Sequence, residues 1–165
     1  MMRLTTAILT LSLLVIMGVF SGTAVTAEVD KNPQIAVIRA DSIPSSKGPS
    51  TNFTGNVRLE RVFPATDSAP YSVSYVTFEA GARTHWHSHP AGQRLLITAG
   101  VGRVQQWGGP IIEVRTGDAV WFPPDIKHWH GASPTKSMTH SSLAGAIAGK
   151  NSEWMEKVSD EQYNP

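Results

Sequence analysis

Six histidines lie between positions 85 and 140 of this 165-residue chain, and several have the spacing of metal ligands. His87 and His89 are separated by one residue, so in an extended strand both imidazoles lie on the same face. Gln93 follows after a short turn, and His128 comes much later in the chain. Histidine is the commonest metal ligand among side chains. Three imidazoles and one amide oxygen can hold a divalent ion and leave coordination positions open for a substrate.

Glycines and a proline frame these ligands in two motifs that resemble those of the cupin superfamily. The superfamily pairs Gly-x5-His-x-His-x3–4-Glu-x6-Gly with Gly-x5-Pro-x-Gly-x2-His-x3-Asn. The matching residues are Gly81, His87, His89, Gln93 and Gly100 in the first motif, and Gly117, Pro123 and His128 in the second. Gln93 stands in place of glutamate, Asp125 in place of glycine and Ala132 in place of asparagine. The resemblance implies a single-domain jelly-roll β-barrel with a metal ion in its mouth; a metal-free barrel with scattered histidines is the alternative.

A narrower resemblance covers nearly all of the chain after residue 52. The sequence is similar to the small bacterial manganese-dependent cupin hydroxynitrile lyases in the segments 53–55, 78–84, 86–90, 92–93, 117–122, 127–131, 138–140, 154–156 and 160–163. The resemblance implies reversible cleavage of aromatic cyanohydrins to an aldehyde and hydrogen cyanide. It also implies one manganese ion on His87, His89, Gln93 and His128, with a pocket that contains Thr84, His130 and His140. Two positions depart from this family, which has a small residue in place of His85 and a glutamine in place of Ala144.

The remaining histidines are candidates for proton transfer beside the ion. His130 lies two residues after His128 and shares its face of a strand, and His140 lies on a strand expected to pair nearby. Either can be a general base, or a satisfied histidine of the core. His85 shares the face of His87 in a regular strand. There it either forms a wall of the pocket and carries protons, or only fills space. Thr84 points away from that face unless a bulge reverses it.

The ligand set leaves several chemistries open. All four ligands are neutral, so the ion keeps its full charge and is a strong Lewis acid, which favours lyase chemistry. Nitrogen and oxygen donors of this kind suit one divalent ion per chain, with manganese first and iron(II), zinc or nickel as alternatives. A cupin dioxygenase that uses a redox metal and oxygen is the second hypothesis. A non-catalytic cupin that binds a small molecule is the third.

Short β-rich segments between turn residues predict an all-β fold that positions these side chains. The predicted strands are 34–39, 57–63, 71–78, 84–89, 94–98, 101–107, 111–114, 119–122, 128–132 and 138–144. Segment 41–56 is rich in Ser, Pro, Gly and Thr and predicts a loop. Residues 151–158 predict one short C-terminal helix capped by Asn151 or Ser152. At least one of five aromatic side chains is expected to line the mouth of the barrel, among Trp86, Trp107, Trp121, Phe122 and Trp129.

The first 27 residues predict a secretory signal peptide. Arg3 precedes an apolar run over 4–20, and small residues follow up to Ala27. We expect cleavage after Ala27, or after Ala24, and export to the periplasm or the medium; an uncleaved membrane anchor is the alternative. The predicted organisation is a signal peptide at 1–27, an N-terminal strand and loop at 28–56, and the cupin domain at 57–165.

Composition narrows the range of partners. The chain has 14 Lys and Arg against 13 Asp and Glu, and removal of Arg3 with the signal peptide leaves 13 against 13. A neutral domain without a basic run predicts neither nucleic-acid binding nor membrane binding after signal cleavage. The absence of cysteine excludes a disulfide scaffold and thiolate metal sites. A small-molecule substrate is the expected partner, and the cupin resemblance implies a homo-oligomer.

Overall fold

Twelve strands form one curled antiparallel sheet in the computed structural model, which describes residues 34–164. The strands are β1 (Ser45–Lys47), β2 (Phe53–Thr54), β3 (Val57–Phe63), β4 (Tyr71–Phe78), β5 (Arg83–Thr84), β6 (His87–Ser88), β7 (Gln93–Gln106), β8 (Ile112–Arg115), β9 (Ala119–Phe122), β10 (His128–Ala132), β11 (Met138–Gly145) and β12 (Glu153–Trp154). A 3₁₀ helix at Ala40–Ser42 precedes them, and one short α-helix, α1 (Asp160–Tyr163), follows them. The predicted all-β jelly-roll barrel is confirmed.

The long strand β7 joins the two halves of the barrel. Its first part pairs with β11 and β9, and its second part pairs with β10 and β8. The sequence predicted two strands here, 94–98 and 101–107, because Gly100 interrupts the apolar pattern. Gly100 has a φ of 80°, and a Cβ there would lie 2.0 Å from the carbonyl oxygen of Ser137. The glycine therefore bends the strand from one half of the barrel to the other without ending its hydrogen bonding.

Two clusters of buried side chains hold the strands together. The larger fills the barrel below the mouth and includes Phe78, Leu95, Ile97, Phe122 and Met138. The smaller consists of Trp86, Trp129, Val158 and Tyr163 and lies on the other side of β10, where the C-terminal segment covers the sheet. The Tyr163 hydroxyl donates to the carbonyl oxygen of Ala132 at 2.7 Å.

The predicted helix at 151–158 is wrong. Residues Glu153–Trp154 are a strand that pairs with β6, and Trp86 exchanges backbone hydrogen bonds with residues 155 and 156. Pairing with a strand edge satisfies these backbone groups better than an isolated helix would, so tertiary contact overrides the local preference. The short helix begins after Ser159, whose hydroxyl accepts from the Gln162 N–H while the Gln162 side chain accepts from the Ser159 N–H. This capping box was present in the sequence as Ser-x-x-Gln.

The predicted strand at 34–39 is also wrong, because these residues have no strand pairing. The described residues from 37 onward make up one compact unit. The predicted signal peptide at 1–27 lies outside the described residues, as do residues 28–33 of the predicted N-terminal strand and loop. Within the described part of the chain, no helix is long and apolar enough to cross a membrane.

Candidate metal centre

Three histidine side chains meet at the mouth of the barrel, and each has one ring nitrogen held by a backbone carbonyl oxygen. The Nδ1 atoms of His87, His89 and His128 each lie within hydrogen-bond reach of a main-chain carbonyl oxygen, those of His85, Asn151 and Ile126 respectively. A carbonyl oxygen only accepts, so each Nδ1 carries the hydrogen and each Nε2 keeps a lone pair. The same outer hydrogen bond orients metal-ligating histidines in general.

The strand register brings these three rings together. His128 on β10 lies directly opposite His87 on β6, and their ring centroids are 4.3 Å apart. His89 follows β6 in the turn that leads to β7, with its ring centroid 5.1 Å from His87 and 5.6 Å from His128. All three rings are at most 5% exposed, and Nε2 of His89 is buried without a hydrogen-bond partner among the described residues.

Gln93 at the start of β7 turns its amide oxygen toward this group. Its Nε2 donates to the Ser142 hydroxyl at 3.0 Å, which leaves Oε1 3.3 Å from Nε2 of His128. With the His128 proton on Nδ1, both atoms at this contact are acceptors and repel each other. A cation placed between them would remove that repulsion. The donor set of Gln93 and the three anchored histidines therefore fits a divalent ion; that these four residues hold it stays a prediction of the sequence motifs.

His130 and His140 lie beside these ligands but lack their anchors. They are 3% and 0% exposed, and none of their four ring nitrogens has a hydrogen-bond partner among the described residues. Their ring centroids are 4.9 Å apart. One ring nitrogen each of His87, His128 and His130 lie within 4.8 Å of one another, so His130 could also contribute to a three-histidine site. The backbone anchor distinguishes His89 from His130, because of these two rings only His89 has a tautomer fixed by the main chain.

Burial keeps every one of these rings neutral at neutral pH. Desolvation lowers the pKa of His128 and of His140 to about 3. Desolvation first, and then the neighbouring histidines, holds the pKa values of His87 and His130 well below 6.5. Desolvation also lowers the pKa of His89, and its bond to Asn151 offsets part of this effect. A neutral imidazole is the form that binds a metal ion or accepts a proton.

The pocket above the ligands is small and mixed in character. It encloses about 220 Å³, below the roughly 300–1,000 Å³ of pockets for drug-sized ligands. Thr84, His130 and His140 line it as predicted. The prediction of a mouth-lining residue among the five aromatics is wrong, because Phe53 and Trp154 line the pocket instead. Trp154 stacks on His87 at 4.6 Å, a contact created by the unpredicted strand β12.

The structure does not bring His85 to this pocket. Thr84 and His87 both face the pocket although they are three residues apart, so the two-residue alternation is broken between them. The break lies at 85–86, where β5 ends and β6 has not begun. His85 consequently lines a separate cavity beside Lys47 and Lys157. The predicted shared face of His85 and His87 is wrong.

Known proteins share this arrangement of sequence and fold. Residues 74–139 match the family described as cupin domain. A protein of Granulicella tundricola named (R)-mandelonitrile lyase is 52% identical over 125 residues, which cover 76% of this chain and 95% of that protein. A cupin-like protein from Thermotoga maritima has a crystal structure that matches with 42% identity and a TM-score of 0.67, over 72% of this chain and 90% of that one. A cupin-2 domain protein from Rhodospirillum rubrum shares the fold at 13% identity, with a TM-score of 0.60 over 79% of this chain and 85% of that one.

Proposed function

The chain belongs to the cupin family, and from this we propose that it is a metal-dependent lyase that reversibly cleaves aromatic cyanohydrins to an aldehyde and hydrogen cyanide. The observation that carries the proposal is the division of the pocket histidines into two kinds. Three have one nitrogen anchored on the backbone and the other free to bind an ion, and two have all nitrogens free to move a proton. The name of the Granulicella tundricola relative supplies the reaction class and the aromatic substrate.

We assign the ion to His87, His89, Gln93 and His128, with manganese as the first choice. When bound there, a divalent ion supplies Lewis acidity that lowers the pKa of a substrate hydroxyl. Iron(II), zinc and nickel suit the same nitrogen and oxygen donors, so elemental analysis of the purified protein is needed to identify the metal. Because all four donors are neutral, they leave the positive charge of the ion uncompensated.

The chain's own residues handle the proton. A ring nitrogen of His140, with His130 as the second choice, accepts the hydroxyl proton of the cyanohydrin. The carbon–carbon bond then breaks, the hydroxyl oxygen becomes the aldehyde oxygen, and the bond electrons leave on cyanide. The imidazolium returns its proton to cyanide and hydrogen cyanide departs. The negative charge on the leaving cyanide stabilises the imidazolium, which offsets the desolvation that otherwise keeps this ring neutral.

Thr84 holds the floor of the pocket in place. Its hydroxyl oxygen accepts from the backbone N–H of His130 at 3.1 Å, and its own proton remains available to a substrate oxygen. Thr84 is 1% exposed, so its hydroxyl is already shielded from solvent before a substrate enters. The aromatic walls Phe53 and Trp154 provide the apolar contact for the ring of the substrate.

The metal content and mandelonitrile cleavage of the mature protein, Glu28 to Pro165, test this function on one sample. We expect about one manganese ion per chain and release of benzaldehyde. Bound iron with oxygen uptake and no cyanohydrin cleavage would transfer the assignment to a dioxygenase. Absence of any bound metal from an active sample would contradict both chemistries.

His140→Gln is expected to lower kcat for mandelonitrile by roughly 10²- to 10⁴-fold, the usual contribution of a general base. The metal content should not change, because His140 has no backbone anchor and lies outside the assigned ligands. His85→Gln is the matched control, since it makes the same replacement in the separate cavity; its kcat should stay within about twofold of the parent. Equal kcat values in the two variants would remove His140 from the mechanism.

We also propose that the protein is exported and that the mature chain begins at Glu28. The basic Arg3, the apolar run and the small residues before Glu28 support this. N-terminal sequencing of protein expressed from the whole gene in a bacterial host, after separation of periplasm and membranes, should give Glu28 in the periplasmic fraction. A chain that keeps Met1 in the membrane fraction would instead support an anchor. A homo-oligomer remains a prediction of the cupin resemblance.

A further inference from the structure

Arg61 is the one permanently charged side chain among the described residues that line the pocket of the candidate metal centre. It lies on β3 two residues after Leu59, which also lines the pocket, so the alternation of the strand places Arg61 on the pocket side, at the solvent-exposed rim. The pocket lining contains no Asp, Glu or Lys. A ligand that enters therefore meets one permanently charged side chain at the rim, in addition to the proposed ion.

This charge has no partner within the described residues. No hydrogen bond or salt bridge is formed by Arg61, whereas its neighbours Arg58 and Glu60 pair with each other on the outer face of the same strand. Five ion pairs are present in the described part of the chain, and none of them draws on a residue of the pocket wall. The guanidinium of Arg61 thus keeps all of its donors available for a ligand.

The sheet register sets the distance between Arg61 and the ligand cluster. Arg61 lies opposite Ser74 on β4, and Ser74 lies opposite Ser142 on β11, which holds the Gln93 amide. Two inter-strand steps separate the backbone of Arg61 from that of Ser142 by about 10 Å. The intervening wall carries the hydroxyls of Ser72 and Ser74 and the apolar side chains of Leu59 and Val76. A benzene ring with a reacting group at one end and an anionic group at the other suits this span.

We propose that Arg61 selects aromatic substrates that carry a carboxylate on the side of the ring opposite the reacting carbon. A guanidinium binds a carboxylate through two parallel hydrogen bonds, and the serine hydroxyls can add further donors. This inference rests on the proposed function only for the reacting end of the molecule, a cyanohydrin or its aldehyde. The substrate class is therefore the cyanohydrins of carboxylated aromatic aldehydes, for which mandelonitrile is a truncated analogue.

Binding without turnover tests this selection directly. Calorimetric titration of the holoenzyme with 4-carboxybenzaldehyde and with benzaldehyde should show at least tenfold tighter binding of the carboxylated aldehyde. Arg61→Gln should remove this preference through a roughly 10- to 100-fold loss for the carboxylated aldehyde, the range expected for charged hydrogen bonds. Arg61→Lys should recover part of it, because a single ammonium replaces a planar fork. Arg58→Gln, on the outer face of β3, is the matched control and should keep the parent preference.

The cleavage assay separates this inference from the proposed function. The KM of the parent should be lower for 4-carboxymandelonitrile than for mandelonitrile. This difference in KM should disappear in Arg61→Gln. If neither cyanohydrin is cleaved but the binding preference depends on Arg61, the lyase proposal fails and the anion selection stands. Equal binding of the two aldehydes by the parent, or an unchanged preference in Arg61→Gln, would overturn the inference, since the carboxylate would then have no partner in Arg61.

Discussion

His128→Ala is expected to reduce bound metal from about one ion per chain to near zero and to lower mandelonitrile cleavage by roughly 10³-fold or more. His128 is fully buried, its Nδ1 is fixed on the Ile126 carbonyl, and its Nε2 faces the Gln93 amide oxygen. It joins the distant β10 to the three proposed ligands of the first motif. Its loss would leave an incomplete ligand set and remove the several kcal/mol of charge stabilisation that a metal ion supplies to a reaction.

Two measurements separate loss of the ion from loss of the fold. The His128 ring stacks on Phe122 with a centroid distance of 3.8 Å, so alanine leaves a cavity that costs stability. Far-ultraviolet circular dichroism and thermal unfolding of both chelator-treated proteins report the fold without the metal. We expect a folded variant in which added manganese no longer raises the unfolding temperature, whereas the parent and His85→Ala are both stabilised by it. A folded His128→Ala that retains one tightly bound ion would contradict the assigned ligand set.

The candidate ligands could be selected from the sequence because their spacing follows short-range rules. His87 and His89 share a motif in which one residue separates them, and His128 lies at a fixed distance from Gly117 and Pro123. The bounds of four of the twelve strands were also predictable, since β3, β4, β9 and β10 each begin and end at the predicted residues, whereas β1 and β2 lie in segment 41–56, for which the predicted loop is wrong. These four strands lie between clear turn residues, so local pattern and tertiary fold agree on where they begin and end.

The errors occur where tertiary contacts decide the local structure. Strict alternation along a strand assigned His85 to the pocket. The chain breaks this alternation at residues 85–86, because the backbone there forms hydrogen bonds with two segments that are distant in the sequence. The His85 N–H donates to the Asn52 carbonyl, and the Trp86 N–H donates to the Glu156 carbonyl. Both partners lie far away in the sequence, so no local pattern reveals the break.

Arg61 and Trp154 show two different reasons why a pocket residue escapes detection. Arg61 could have been found, because it follows Val57 and Leu59 by strand alternation on the same side of a correctly predicted strand and so reaches the rim of the pocket. Trp154 could not, because its place beside His87 depends on the pairing of β12 with β6, and the local sequence favours a helix there.

The metal-free protein is expected to lose stability steeply as the pH falls from about 6.5 toward 3. Burial lowers the pKa of His128 and of His140 from 6.5 to about 3 in the folded chain. In the unfolded chain both rings return to about 6.5, so the unfolded state binds more protons throughout this window. The contribution of these neutral rings to the free energy of unfolding is therefore fully present above pH 6.5. Below it, each ring lowers the free energy of unfolding by about 1.4 kcal/mol for each pH unit.

Because several rings act in the same direction, acid alone should unfold the metal-free protein. The pKa values of His87 and His130 are also held well below 6.5, so these rings add to the loss from His128 and His140. Two rings alone remove about 4 to 5 kcal/mol between pH 6.5 and 4.5, close to the whole stability of many domains. Urea unfolding of the chelator-treated protein at pH 7.5, 6.5, 5.5 and 4.5 measures this slope, and His140→Gln should reduce it by about one proton. A free energy of unfolding that stays constant from pH 7.5 to 4.5 would mean that these rings are hydrated or protonated in the folded state.

Saturating manganese should move the onset of unfolding to lower pH, because the ion and the protons compete for the same lone pairs on His87, His89 and His128.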